Sequence, residues 1–224
     1  MHQQKSKKIL IYFFLFLIIG TFNNKDLNNF DFPKIKKVEI NGLDENDSFE
    51  LLKKISHLKL GNLFYINKFE INEIISSNEF VENYSIFKKY PSSLKINITK
   101  TEFLANVKKE SGNFFLGSNG KLIRTNYVNK NLPSIFGKFD NNAFFDLKKI
   151  INKTNFKFSE IKNLFYFKSG RWDIETYSGI KIKLPKDNIK ESLGLIFNIL
   201  EKPKSENIII IDLRQKNQII INEQ

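Results

Sequence analysis

Residues 9–22, ILIYFFLFLIIGTF, form an uncharged run with Lys5, Lys7 and Lys8 before it and no further charge until Lys25. A segment apolar on all sides has no face to offer water, so it belongs in hydrocarbon, and a buried core helix would not sit at the extreme N-terminus. Crossing a ~30 Å hydrocarbon core takes roughly 17 to 25 apolar residues, so the run is either a signal-peptide core or a slightly undersized anchor. The exit IIGTFNNKD offers only Gly20 and Thr21 where a cleavage site needs an A-x-A pattern, which favours an uncleaved signal anchor over 9–24. The positive-inside rule then keeps a cytoplasmic tail, 1–8, on one side and sends everything after Lys25 across the membrane, beginning with a linker over 25–34.

With 224 residues, 41% of them hydrophobic, the chain can build one or two domains with ordinary cores. Its formal charge of +12 raises nucleic acid as a partner, yet only Arg124, Arg171 and Arg214 among the 36 basic residues are arginine. Base and phosphate forks are built mainly from arginine. Lysine, asparagine, isoleucine and phenylalanine are inflated together, so the charge reads as a compositional bias spread over a solvated surface. The absence of cysteine removes disulfides, thiolate catalysis and Cys-based metal sites together.

The first folded unit spans 35–104. In KKVEING (36–42), Val38 and Ile40 alternate with charged neighbours, which predicts a half-buried strand closed by Gly42. Asp47 and Glu50 stand in capping-box spacing, Leu51, Leu52, Ile55 and Leu58 share a helical face, and Gly61 is the stop signal. A second helix opens on Asn67 and Glu70 and turns Ile71, Ile74 and Ile75 inward. VENYSIF (81–87) and SLKINIT (93–99) read as two further strands, giving βααββ, one sheet with two helices on one face.

The second unit spans 105–224. Ser118-Asn119-Gly120 parts two apolar halves of a hairpin, with asparagine and glycine supplying positive φ angles. LPSIFGK (132–138) leads into a short strand, and Phe144, Leu147, Ile150 and Ile151 mark a helix. Residues 163–185 predict three strands in a meander, with Trp172, Ile174 and Thr176 on one face and Ile182 and Leu184 on another. A helix over Asp187 to Leu200, IIIIDLR and a last isoleucine strand complete an α+β unit with a mainly antiparallel sheet.

No chemistry is legible. His2 and His57 are separated, and no HExxH is present, so a zinc site is excluded as a reading. S-x-x-K occurs at Ser56, Ser85, Ser92, Ser118, Ser159 and Ser178, a background level in so lysine-rich a chain, and neither SDN nor KTG accompanies it. No glycine loop for a nucleotide exists, and the aromatic-lysine stretch FKFSEIKNLFYFK (156–168) reads as buried phenylalanines with exposed lysines rather than a nucleic-acid platform.

The segments GNLFYI (61–66), FVENYSIFKKYPSSLKINI (80–98), Leu132-Pro133 with Gly137, Trp172 in a strand, GIKIKLP and IDLR, in this order, resemble the bacterial cell-division family FtsQ, also called DivIB. Lys100, Thr101 and Phe103 depart from the acidic-arginine and proline pattern of that family, while Ala105 keeps it. The resemblance implies a single N-terminal transmembrane helix, a POTRA domain and a second β-rich domain. It also implies a non-enzymatic divisome scaffold in the bacterial inner membrane, bulk periplasmic and gathered at the division septum, without cofactor, metal, nucleic acid or small-molecule substrate. The implied partners are FtsB and FtsL, linked through the scaffold to septal peptidoglycan synthesis, with other divisome proteins on the POTRA domain. FtsB would add a strand along Gln218, Ile219, Ile220 and Ile221, and Lys186 would meet an acidic side chain of FtsB. The competing readings are a POTRA-containing protein-transport or membrane-assembly factor and a membrane-anchored Ser-Lys hydrolase.

Overall fold

The computed structural model describes residues 3–22, 32–58, 60–200, 208–215 and 218–223. His2, the end of the expected anchor at 23–24 and most of the expected linker lie outside these residues. Helix α1 runs Gln3–Phe22. Ile9 to Ile19 each expose between 44% and 74% of their surface, so its apolar side chains are largely open to the surroundings. At 1.5 Å per residue the uncharged stretch 9–22 is about 21 Å long, and no described helix is long and apolar enough to cross a membrane.

The first domain has the expected βααββ order: β1 (Lys37–Asn41), α2 (Glu45–Ser56), α3 (Lys68–Ser77), β2 (Val81–Lys89) and β3 (Ser93–Lys100). The strands lie in the order β1-β3-β2, β1 parallel and β2 antiparallel to the central β3. β3 alternates as read, burying Leu94, Ile96 and Ile98 against Leu51 and Ile55 of α2 and Ile71 and Ile75 of α3. Full burial of each such side chain contributes roughly 1.5–3 kcal/mol.

The second helix begins as predicted, Asn67 Oδ1 accepting from the Phe69 amide at 3.1 Å while its Nδ2 donates to Glu70 at 2.8 Å. The first helix does not begin where the capping-box spacing put it. Its N-cap is Asp44, and Asp47 lies inside the first turn. Both carboxylates face Lys100 of β3, whose ammonium binds Asp44 and lies 3.7 Å from Asp47, and the Asp44 side chain makes no capping hydrogen bond. Leu52 is exposed rather than buried, and α2 ends at Ser56 with His57 as its right-handed C-cap, ahead of Gly61.

Only Thr101 and Glu102 separate β3 from the second domain. Its elements are β4 (Phe103–Lys109), β5 (Gly112–Gly117), β6 (Leu122–Thr125), β7 (Ser134–Phe136), α4 (Asn141–Ile151), β8 (Ile161–Tyr166), β9 (Trp172–Thr176), β10 (Lys181–Lys183), α5 (Ile189–Leu200), β11 (Ile208–Asp212) and β12 (Ile220–Glu223). Nine strands form one sheet in the order β12-β11-β10-β9-β8-β7-β4-β5-β6. It is mixed: β10–β11, β7–β8 and β4–β7 are parallel, and the other neighbours antiparallel. Parallel neighbours need a crossover, and α4 and α5 supply two of them, packing their buried Phe144, Leu147, Leu193 and Ile196 against the sheet.

Gly137 has φ +99°, and a Cβ there would fall 2.2 Å from the Tyr166 carbonyl oxygen, so the turn after β7 tolerates only glycine. In the β5–β6 turn Gly120 alone takes a positive φ, and Asn119 does not. The Asn119 side chain instead donates to the carbonyls of Glu79 (2.8 Å) and Val81 (2.9 Å) in the first domain.

Candidate partner-binding edge

β12 is the outermost strand of the nine-stranded sheet and, among the described residues, pairs only with β11. Its register sets Ile220 opposite Asp212, Ile221 opposite Ile211 and Asn222 opposite Ile210. Side chains in register across a sheet share a face, so two rows can be followed inward from the edge. Ile221 opens the row Ile211, Ile182, Ile174 and Leu164, whose four members are at most 1% exposed on the helix-covered face. Ile220 opens the opposite row, Asp212, Lys183, Asp173, Phe165 and Phe136.

The second row is the charged one. Arg214 grips Asp212 through its Nε at 2.8 and 3.0 Å to the two carboxylate oxygens, and Arg171 Nε lies 3.2 Å from Asp173. The hydrogen bond from Arg214 holds the Asp212 carboxyl below the usual range, and Asp212 in turn raises the guanidinium of Arg214. Burial pushes Asp173 upward, outweighing the opposing pull of Arg171. Two of the chain's three arginines therefore stand at this end of the sheet, a grouping made by register and absent from linear spacing.

Ile220 and Ile221 lie within β12, whereas Gln218 and Ile219 approach it. Ile219, Ile220 and Ile221 are 38%, 47% and 38% exposed. Lys186 is exposed beyond the end of β10, its Cε 3.6 Å from where a Cβ on Gly170 would stand, at the turn between β8 and β9. β9 is three strand spacings from β12, about 14 Å. The strand residues and Lys186 are therefore not in mutual contact but share one end of the domain. Asp212, Arg214, Arg171 and Asp173 were not singled out as site residues from sequence, although IDLR carries the first two.

Of the serines in S-x-x-K spacing, Ser56 donates to the Lys53 carbonyl (2.7 Å), Ser118 to Glu82, and Ser178 shares a hydrogen bond with Thr176 (2.7 Å). Among the described residues no group of three or more His, Cys, Asp or Glu side chains converges.

A POTRA-like βααββ unit joined to a mixed β domain with an open terminal edge defines the class of the molecule. Residues 33–100 match the family described as POTRA domain, FtsQ-type, and residues 105–214 the family described as Cell division protein FtsQ/DivIB, C-terminal. The chain belongs to the FtsQ/DivIB family of cell-division proteins. The second match ends at Arg214, so β12 lies beyond it.

Among its relatives are Cell division protein FtsQ of Rickettsia bellii, 26% identical over 85% of this chain and 72% of the relative, and Cell division protein DivIB of Clostridium botulinum strain Loch Maree, 32% identical over 71% and 55%. The chain thus spans about half the length of the clostridial relative. A solved structure, the major extracytoplasmic domain of the trans isomer of DivIB from Geobacillus stearothermophilus, aligns at 15% identity over 46% of this chain and 92% of that one, with a TM-score of 0.35.

Proposed function

We propose that the chain is a membrane-anchored, non-enzymatic divisome scaffold that holds an extended segment of FtsB, with FtsL, along the outer edge of β12 and so links both to septal peptidoglycan synthesis. The observation that carries this reading is an outermost strand with solvent-facing isoleucines and, among the described residues, no strand on its outer side. Such an edge is an aggregation liability unless a partner strand covers it. An added strand would extend both rows, placing an apolar side chain beside Ile221 and a polar or charged one beside Ile220 and the Asp212 row. Lys186 would meet an acidic side chain of FtsB farther along the same end of the sheet, as a point charge without arginine's fork. The anchor reading of α1 rests on its apolar exposed surface and the lysines in its first turns; the shortness of its uncharged stretch would be accommodated by local thinning of the bilayer and by snorkelling of those lysines.

The test is capture of FtsB from the same organism by the full chain in detergent, comparing wild type with Ile220→Pro and Ile221→Pro. Alternate residues of a strand direct their amides to opposite sides, so one of these two positions faces outward and the other faces β11. One variant should lose FtsB while keeping the wild-type unfolding transition. Binding retained by both, or none by the wild type, would remove the edge-strand reading.

A further inference from the structure

We propose that the pole of the first domain where the chain arrives from α1 is a binding surface for anionic lipid headgroups, which seats the domain on the leaflet from which α1 emerges; this rests on α1 being a membrane anchor. Phe32, Phe64 and Tyr90 form one cluster, with ring centroids 4.3 Å apart for Phe32 and Phe64 and 5.2 Å apart for Phe64 and Tyr90. Tyr65, beside Phe64, is 80% exposed, and Phe64 and Tyr90 are more than half exposed.

Three segments distant in sequence build the patch. Lys34 bridges to Asn62, the Ile35 amide donates to the Gly61 carbonyl at 3.0 Å, and the Lys36 amide donates to the Ser92 carbonyl at 2.8 Å. Lys34 and Lys36 are exposed at its rim. Of the carboxylates on adjoining elements, Glu39 is paired with Lys37 (2.6 Å) and Lys89 (3.5 Å), and Glu70 accepts from Asn67. The pole therefore offers aromatic rings, two of them with hydroxyl tips, beside Lys34 and Lys36, which pair with no carboxylate among the described residues. That combination suits the headgroup layer of a bilayer, where amphipathic rings and lysines gather.

Its position supplies the occupant. Residues 23–31 join α1 to Phe32, and a chain of that length reaches at most about 35 Å. β2 runs from Val81, at the junction with the second domain, to Lys89, next to Tyr90. At ~3.3 Å per residue this separates the patch from the junction by about 26 Å. The aromatic pole thus lies at the end where the chain enters from α1, with the second domain at the other end.

The chain has no cysteine, so Tyr65→Cys and, on the second domain, Lys153→Cys can each carry a single spin label. The full chain is reconstituted in vesicles of phosphatidylcholine with phosphatidylglycerol, floated, and read for collision with oxygen and with a water-soluble nickel chelate. The label at 65 should show a severalfold higher oxygen-to-nickel ratio than that at 153, and Lys34→Glu with Lys36→Glu should lower it. A chain that floats while position 65 is as wet as 153 overturns the lipid surface and leaves the anchor standing. A chain that does not float removes the anchor and this proposal with it. Spin–spin broadening at 65 that vanishes on dilution with unlabelled chain would instead assign the patch to a second copy, and overturn the proposal.

Discussion

Asp212 and Arg214 are two residues apart, and on an ideal extended strand their side chains would point the same way without meeting squarely. Here the chain leaves β11 at Leu213, and the guanidinium folds back onto the carboxylate, with the Arg214 amide donating to the same group at 3.1 Å. Because Asp212 has a depressed folded value, its contribution to stability is fully present above the unfolded carboxylate value of about 3.9 and is lost as pH falls through the folded one. Asp173, raised mainly by burial, has the opposite sign: its contribution is greatest while protonated and fades as pH rises through its folded value. Asp212→Asn should therefore lower stability at pH 7 by about 1 kcal/mol, a modest figure because Arg214 is partly exposed. The deficit should shrink near pH 3. Urea unfolding of both proteins at the two pH values checks this, and an equal deficit at both would mean that the pair acts through packing rather than charge.

At the scale of single elements, capping shows where local signals suffice. Asn67 caps α3 as its spacing predicts, with partners only two and three residues away. Asp44 and Asp47 both face Lys100, a residue more than fifty positions away, a pairing that the local spacing at the start of α2 does not reveal. Asn67→Ala should cost about 1 kcal/mol, whereas Asp44→Ala, which removes an exposed ion pair and no side-chain cap, should cost less than about 0.5 kcal/mol. Denaturant midpoints of the two variants measure the difference; equal losses would mean that the Lys100 pair stabilises α2 as strongly as a cap. The same distinction governs β12. Its isoleucines announce a strand, but nothing local says that it pairs with β11 and leaves its other side open.

Across the whole molecule, the β5–β6 turn holds the two domains together. Asn119 and Lys121 donate to carbonyls between Ser76 and Val81, Ser118 bonds Glu82 and Thr101, and Asn141 of α4 steadies the turn from behind through the Gly120 carbonyl at 2.6 Å. With a two-residue connection on one side and this clamp on the other, the domains should keep one relative orientation. Spin-label distances between positions 65 and 153 should be narrowly distributed in an otherwise unaltered chain and broaden in Asn119→Ala with Lys121→Met. Unchanged width in that variant would show that Thr101 and Glu102 alone set the orientation.

Alternation in β3, the 3.6-residue spacing of Phe144, Leu147 and Ile151, and the Ser-Asn-Gly turn are short-range consequences of side-chain type, and the sequence by itself determined them, together with the βααββ order and the family. The apolar character of residues 9–22 is equally local. Strand order in the nine-stranded sheet, the parallel pairings through α4 and α5, the charged row from Asp212 to Asp173 and the aromatic pole around Phe64 were decided only in three dimensions. Each joins residues tens of positions apart, and their pairing depends on which faces are left to bury once the local elements exist, a choice that periodicity along one strand does not encode.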